Sequence, residues 1–522
     1  MKFLKNNVLI LSVLLIFVLV ACNSNDETTN EEADGENESV LDVALQSVPP
    51  ALDPHMSTST MTAEMSRNVY EPLVTIDENY EVQPMIAESW EVNDDYTVYT
   101  FHLRDEANFH NEKELTSEDV VASLERWLSI NQKAAVSLGE NTEITAIDDG
   151  TVEITHENTN FLTLEVLAMP SQFGGIMPKE TVESAGTNPV EEYIGTGPYK
   201  VVEYVSDQHL ILEKHNEYVP REEEPSGLAG AKNALIDTIN FSFVSDESTR
   251  LSGLIAGEYD IVRNLPYDNF AQLESDPAVE PQLSEGGSDI IIFNKKEGIF
   301  TDQKARQALQ AGLDLEALSI GTYGDNQFFT LNSSLSMEEQ VNWYTEAGSE
   351  YYNQNDEGLY KQLLDESEYD GETVRILASN NITHYNIAIT LQQELESLGM
   401  NTDLETYDFA TVLDYRQDPA IWDILISDLP TEANPTLINY LDSDFEYVGW
   451  SDNEKIDEII EKIRSASSYE EANHYVDELQ EAYYDYVPVI KPSNRFLVAG
   501  VSKDLNNYYD FSNGTVLWNI SK

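Results

Sequence analysis

The sequence predicts an α/β protein of two lobes joined by a two-segment hinge, with an extra β-rich subdomain set into the first lobe. Three observations lead there. About 480 residues follow residue 40, too many for a single hydrophobic core. A hydrophobic content of 41% and an aromatic content of 10% can fill more than one. The pattern also changes along the chain, from short alternating stretches to strands that alternate with helices.

The N-terminus comes first. Lys2 and Lys5 precede an apolar run from Val8 to Val20 interrupted only by Ser12. That run fits a signal-peptide core and is short of the ~20 residues a membrane-spanning helix needs. It closes on Leu19-Val20-Ala21-Cys22, which resembles the bacterial lipobox and implies cleavage before Cys22 and lipidation of its thiol. Cys22 is the only cysteine, so it has no internal disulfide partner. The alternative is an uncleaved, membrane-tethered helix with an idle thiol. Residues 1–21 are therefore read as a leader and 22–40 as a lipidated, acidic, disordered tether, almost free of apolar side chains.

The charge balance is extreme, with 96 acidic against 28 basic residues and a net charge of −68. Nucleic acid and anionic lipid are poor partners for such a surface. High salt, which screens self-repulsion, and a high-pH surroundings both account for it, and the sequence does not choose between them.

Val40 to Leu45 reads as the first strand, and a helix is expected over Ala63–Tyr70. Tyr96–Leu103 alternates, and Ile144–His156, broken at Asp148-Asp149-Gly150, reads as a hairpin. Later, Thr373–Ser379 reads as a strand and His384–Leu398 as a helix, with Ile387, Leu391, Leu395 and Leu398 on one face and Gly399 as its stop. Asp403–Thr406 and Trp422–Ser427 are further strands, and Ile456, Ile459, Ile460 and Ile463 mark a packed helix. Such alternation implies parallel βαβ units. Glu285-Gly286-Gly287-Ser288 is the expected first hinge crossing and Val487-Pro488-Val489-Ile490 the returning strand. The boundaries follow: residues 41–284 plus 488–522 for lobe I, with the subdomain at about 72–192, and 285–487 for lobe II.

Several segments resemble one family, the bacterial extracellular solute-binding proteins of family 5. These are Leu52-Asp53-Pro54-His55, Tyr70-Glu71-Pro72-Leu73-Val74, Pro84–Trp90, Phe101–Asp105, Leu115–Val120 and Ser123–Arg126. Gly195-Thr196-Gly197-Pro198-Tyr199, Asn216 with Tyr218, Gly257–Asp260 and Asp302 with Arg306–Leu309 continue the register. The motif residues themselves read as fold-specifying. Thr116 before Glu118-Asp119 suits an N-cap, and Gly195-x-Gly197-Pro198 suits a turn between strands. The resemblance implies a periplasmic-binding-protein-like (type 2) fold. It also implies a lipoprotein on the outer face of a bacterial membrane, a monomer that hands a peptide or peptide-like solute to ABC permease subunits. It implies no enzymatic activity and no cofactor. Nickel-chelate or haem-like ligands, and a non-transport adhesin or chaperone role, are the other readings the family allows.

Site residues follow from the same likeness. The family's ammonium-binding loop matches Trp422–Pro435. Glu432 best fits the carboxylate that pairs the ligand's amino group, with Asp428 in reserve, because a buried ammonium needs a counter-charge. The competing reading of each is a solvated loop carboxylate. Thr58-Ser59-Thr60 falls where the family presents an extended edge to the ligand backbone. Dipeptide-binding members place an arginine just before the helix that here starts near His384. This chain carries Ser379-Asn380-Asn381 instead, so Asn380 and Asn381 stand as the candidates there. Lys491 could supply a cation, against the reading of a surface lysine. The eight histidines form no H-E-x-x-H, and no G-x-S-x-G occurs, so zinc peptidase and α/β-hydrolase chemistry lack their residues and no metal is expected.

Overall fold

The computed structural model describes residues 38–139, 141–512 and 514–522; the leader, Cys22 and the tether up to residue 37 lie outside them. The described chain starts with β1 (Val40–Leu45) and α1 (Thr60–Ser66). A hairpin of β2 (Val74–Ile76) and β3 (Val82–Pro84) follows. Next come β4 (Ala87–Val92), β5 (Val98–Leu103), α2 (Ser117–Ile130) and α3 (Gln132–Leu138). After them run β6 (Glu143–Asp148), β7 (Thr151–Thr155), α4 (Thr163–Leu167) and α5 (Lys179–Ala185). Strands β4-β5-β7-β6 form a separate antiparallel sheet, the β-rich subdomain that the alternating stretches predict. Its inward positions, Tyr99, Phe101, Val152 and Ile154, pack with Val120 and Trp127 of α2 in one core.

The chain continues through β8 (Tyr199–Val205), β9 (His209–Lys214), β10 (Thr238–Phe243), α6 (Glu247–Ala256), β11 (Ile261–Leu265) and α7 (Phe270–Glu274). The fifteen-residue β12 (Val279–Phe293) leads into α8 (Gln303–Gly312), α9 (Leu315–Tyr323), β13 (Phe329–Thr330) and α10 (Glu357–Asp365). Then β14 (Thr373–Ser379), α11 (Ile382–Ser397), β15 (Asn401–Tyr407), α12 (Phe409–Tyr415) and β16 (Ile424–Leu429) alternate. Helices α13 (Glu454–Arg464) and α14 (Tyr469–Tyr486) precede β17 (Val489–Ile490) and β18 (Asn494–Ser502).

One mixed sheet runs β15-β14-β16-β12-β18-β11-β1-β10-β9-β8. Strand β14 pairs in parallel with β15 and β16, with α11 as the crossover, so the expected βαβ unit is present. Two strands carry the sheet from one half to the other. Residues Val279–Glu285 of β12 pair with β18, while Ser288–Phe293 pair with β16. The register shifts between Glu285 and Ser288, at the glycine pair. Gly287 takes φ +73°, and a Cβ there would lie 2.1 Å from the Leu429 carbonyl oxygen, so the bulge admits only glycine.

Three expectations change. The returning strand is β18 and not Val487–Ile490. Val487 ends α14 with φ +53°, and Val489-Ile490 pairs only with Ile292 and Ile291, on the β16 side of the bulge. Helix α1 stops at Ser66, not Tyr70, where Asn68 Nδ2 donates back to the Glu64 carbonyl at 2.8 Å. Gly195 and Gly197 serve close approach rather than a turn. A Cβ at either would meet the Val69 or Asn68 carbonyl oxygen at 2.0 or 2.5 Å.

The motif residues do specify the fold. Asp53 pairs with Arg126 at 2.7 Å, and Arg126 Nη1 lies 2.8 Å from His55 Nδ1. Glu71 is met by Arg104 (3.2 Å), Lys232 (3.5 Å), Thr196 (3.0 Å) and Tyr218 (2.8 Å). Burial would raise the Glu71 carboxyl, but Arg104 and Lys232 outweigh it and hold it below its ordinary value.

Candidate functional site

The loop after β16 is shaped residue by residue. Pro430 lacks the N–H that a continuing strand would use. Thr431 Oγ1 donates to Glu285 at the β12 bulge. The buried Gln340 amide donates to the carbonyls of Glu432 (2.7 Å) and Ala433 (3.1 Å). Asn434 Oδ1 accepts from Thr436 N (3.0 Å) and Oγ1 (2.7 Å), starting a tight turn at Pro435. These anchors turn the Glu432 side chain inward, and the residue is 8% exposed. Its Oε1 accepts from Lys133 Nζ of α3 at 2.5 Å, while Oε2 is buried with no hydrogen-bond partner among the described residues.

Lys491 is no surface lysine, since it is 7% exposed. Its Nζ donates to the Ser334 carbonyl at 2.5 Å and to Asn494 Oδ1 at 3.1 Å. Burial pulls its ammonium down to about 7. Glu432, Asn434, Lys491 and Asn494 line one cavity of about 40 Å³, alongside Ile290, Leu429 and Ile438. At roughly 10–15 Å³ per water, that is space for about three waters.

The other predicted residues lie elsewhere. Asp428 Oδ2 meets Arg495 at 2.7 Å and Oδ1 lies 3.1 Å from His384 Nε2. Burial opposes its charge, yet Arg495 and His384 hold its carboxyl well below the usual range. Asn381 caps α11, accepting from His384 N at 2.8 Å, and Asn380 N–H donates to the Tyr407 carbonyl at 2.7 Å; both side chains are exposed. Thr58 is exposed, and Ser59 and Thr60 begin α1. Glu432 and Lys491 are thus brought to one cavity, and Asp428, Thr58, Ser59, Thr60, Asn380 and Asn381 are not among its lining. Lys133 escaped sequence reasoning, because nothing in its helix distinguishes a lysine whose partner is 299 residues away.

A buried acid and a buried amine on one enclosed cavity, in a two-lobed α/β fold, define a protein that encloses small solutes. The comparisons agree. The chain belongs to the bacterial extracellular solute-binding proteins, family 5, whose model matches residues 81–449. A probable peptide ABC transporter periplasmic-binding protein of Sinorhizobium fredii is 26% identical over 493 residues, 90% of this chain and 91% of that one. A dipeptide-binding protein of Bacillus subtilis is 24% identical over 516 residues, 91% of each. The fold matches a Helicobacter pylori periplasmic binding protein solved with the peptide STSA (TM-score 0.76, 20% identity, 92% of this chain and 98% of that one). It also matches an A. tumefaciens protein solved with agropinic acid (TM-score 0.78, 22% identity, 92% and 98%). Among the described residues no helix is long and apolar enough to cross a membrane.

Proposed function

We propose that this protein captures a peptide or peptide-like solute between its lobes and delivers it to the permease of an ABC importer. The observation that carries the reading is Glu432 Oε2, a buried acceptor with no partner on the wall of the enclosed cavity. A ligand ammonium would satisfy it with a charge-assisted bond. The relatives' peptide and dipeptide ligands support the same class. In this reading residues 41–284 plus 488–522 and residues 285–487 move as two lobes about Glu285–Ser288, with 72–192 riding on the first. A nickel chelate or haem-like ligand is less well supported, since no histidine lines the cavity. Acylation at Cys22 would hold a monomer on the outer face of the membrane, two acyl chains being enough for stable anchoring. Fractionation tests that part: Cys22→Ala protein should be released to the medium, and full retention in the membrane would refute the anchor.

Calorimetry tests the capture. The dipeptide Ala-Leu and its N-acetylated form are titrated into wild type and Glu432→Gln. Removing one partner of a desolvated charge pair costs ~2–5 kcal/mol, or roughly 30-fold and upward in affinity. Both N-acetylation and Glu432→Gln should weaken binding by that order. If acetylation weakens binding and Glu432→Gln does not, the amino clamp lies elsewhere.

A further inference from the structure

The walls of the cavity carry more than an acceptor. Asn434 is buried, and its amide is oriented by two donors on Oδ1, so Nδ2 is a fixed donor; that nitrogen has no partner among the described residues. Lys491 has two neutral acceptors, and no carboxylate lies within 4.0 Å of its ammonium among the described residues. In a chain with 96 carboxylates, a buried cation facing none of them is conspicuous. The carboxylate on the same cavity, Glu432, is already neutralised by Lys133 on one oxygen. An amide donor and an uncompensated ammonium on one small cavity are what a carboxylate group requires.

We propose that Lys491 and the Asn434 amide form a carboxylate seat, so that the site selects solutes with a free acidic end. This deepens the capture reading and rests on it. Dipeptide-binding members use an arginine before the helix that is α11 here; this chain has Asn380-Asn381 at that place, and the seat would supply the missing cation from the β17 side instead. Lys295 is the internal contrast. Its ammonium also donates to carbonyls, of Phe293 (3.1 Å) and Pro488 (2.9 Å), but it does not line the cavity and so ties backbone together without facing ligand.

Binding at the seat has a second signature. The titratable groups around Lys491 are Glu432 with Lys133, Tyr440 on the cavity wall, and Tyr483 at the Lys491 backbone. Both tyrosines are raised by burial and stay neutral near pH 7. A carboxylate arriving beside an ammonium that titrates at about 7 would draw in a fraction of a proton near pH 7.5.

The test uses a defined library of unblocked dipeptides and the same library as C-terminal amides. Each is dialysed against wild type, Lys491→Met and Lys295→Met, and retained peptides are counted by mass spectrometry. Wild type and Lys295→Met should retain the free acids at least tenfold better than the amides, and Lys491→Met should lose that preference. For a retained dipeptide, calorimetry in phosphate and in Tris should show proton uptake in wild type and none in Lys491→Met. Equal retention of amides and acids by wild type overturns the seat and leaves capture standing, whatever the stability of the variants. Unchanged preference in a folded Lys491→Met also overturns it. If neither library is retained, capture and seat fall together.

Discussion

Two carboxylates four residues apart, Asp428 and Glu432, show how far a side chain's role depends on partners distant in sequence. Both were legible as candidates, because each is an acid in the loop that matches the family's ammonium-binding segment. Their ranking was not fully legible. Arg495, 67 residues on, commits Asp428 to a network that also holds Asp289 at 2.7 Å, whereas Lys133 takes only one oxygen of Glu432. Lys491 was read as a site cation for its place beside the return segment, but its burial depends on Ser334, 157 residues away. A prediction separates the two acids. Asp428→Asn removes a charge from Arg495 and His384, and stability should fall by about 1–3 kcal/mol in urea denaturation. Its affinity for Ala-Leu should stay within about threefold of wild type. A collapse in affinity would make Asp428 a ligand contact after all.

Elements with a strong period were read well from the sequence. Strand β14 and the hairpin of β6 and β7 fall where alternation and Asp-Asp-Gly place them, and α11 lies within two residues of its expected span. The return strand was misplaced because Val487 is β-branched and apolar, yet ends a helix in a left-handed conformation that such residues rarely adopt. No local pattern announces that. The contact between α4 and α14 was equally invisible, and it carries a titratable group. Glu165 is 3% exposed, and its Oε1 accepts from Tyr469 Oη at 2.5 Å. Burial raises its carboxyl from 4.5 to about 7, the tyrosine offsetting only part of this. The unfolded chain releases this proton near 4.5 and the folded one near 7. The stability tied to Glu165 is therefore full below about 4.5 and is lost as pH rises to about 7. The loss should be on the order of 2–3 kcal/mol. Glu165→Gln should remove that part of the slope, so that its stability relative to wild type improves between pH 4.5 and 7 in urea melts. A constant difference across the range would show that Glu165 keeps an ordinary pKa.

At the scale of the whole molecule, charge is the dominant fact. Even if every lysine and arginine met a different carboxylate, 68 acids would remain without a basic partner. Several cations are also unavailable to the surface. Arg250, Arg306 and Lys491 are buried and donate to backbone carbonyls, as Arg250 does to Val244 at 2.7 Å and Arg306 to Phe300 at 2.7 Å. The exposed face is therefore more negative than composition implies, and folding brings those charges together. Screening should relieve the repulsion. The Debye length falls from ~30 Å at 0.01 M salt to ~10 Å at 0.1 M and ~3 Å at 1 M. Melting temperature should therefore climb with sodium chloride, with most of the rise complete by about 0.3 M, where the Debye length is already close to the spacing of surface charges. A rise that stays linear to 1 M and is larger with sulfate would point instead to exclusion of salt from the surface, which strengthens apolar burial without regard to charge. A flat curve would mean that the 68 unmatched carboxylates lie far enough apart to ignore one another, and the acidity would then carry no cost in dilute buffer.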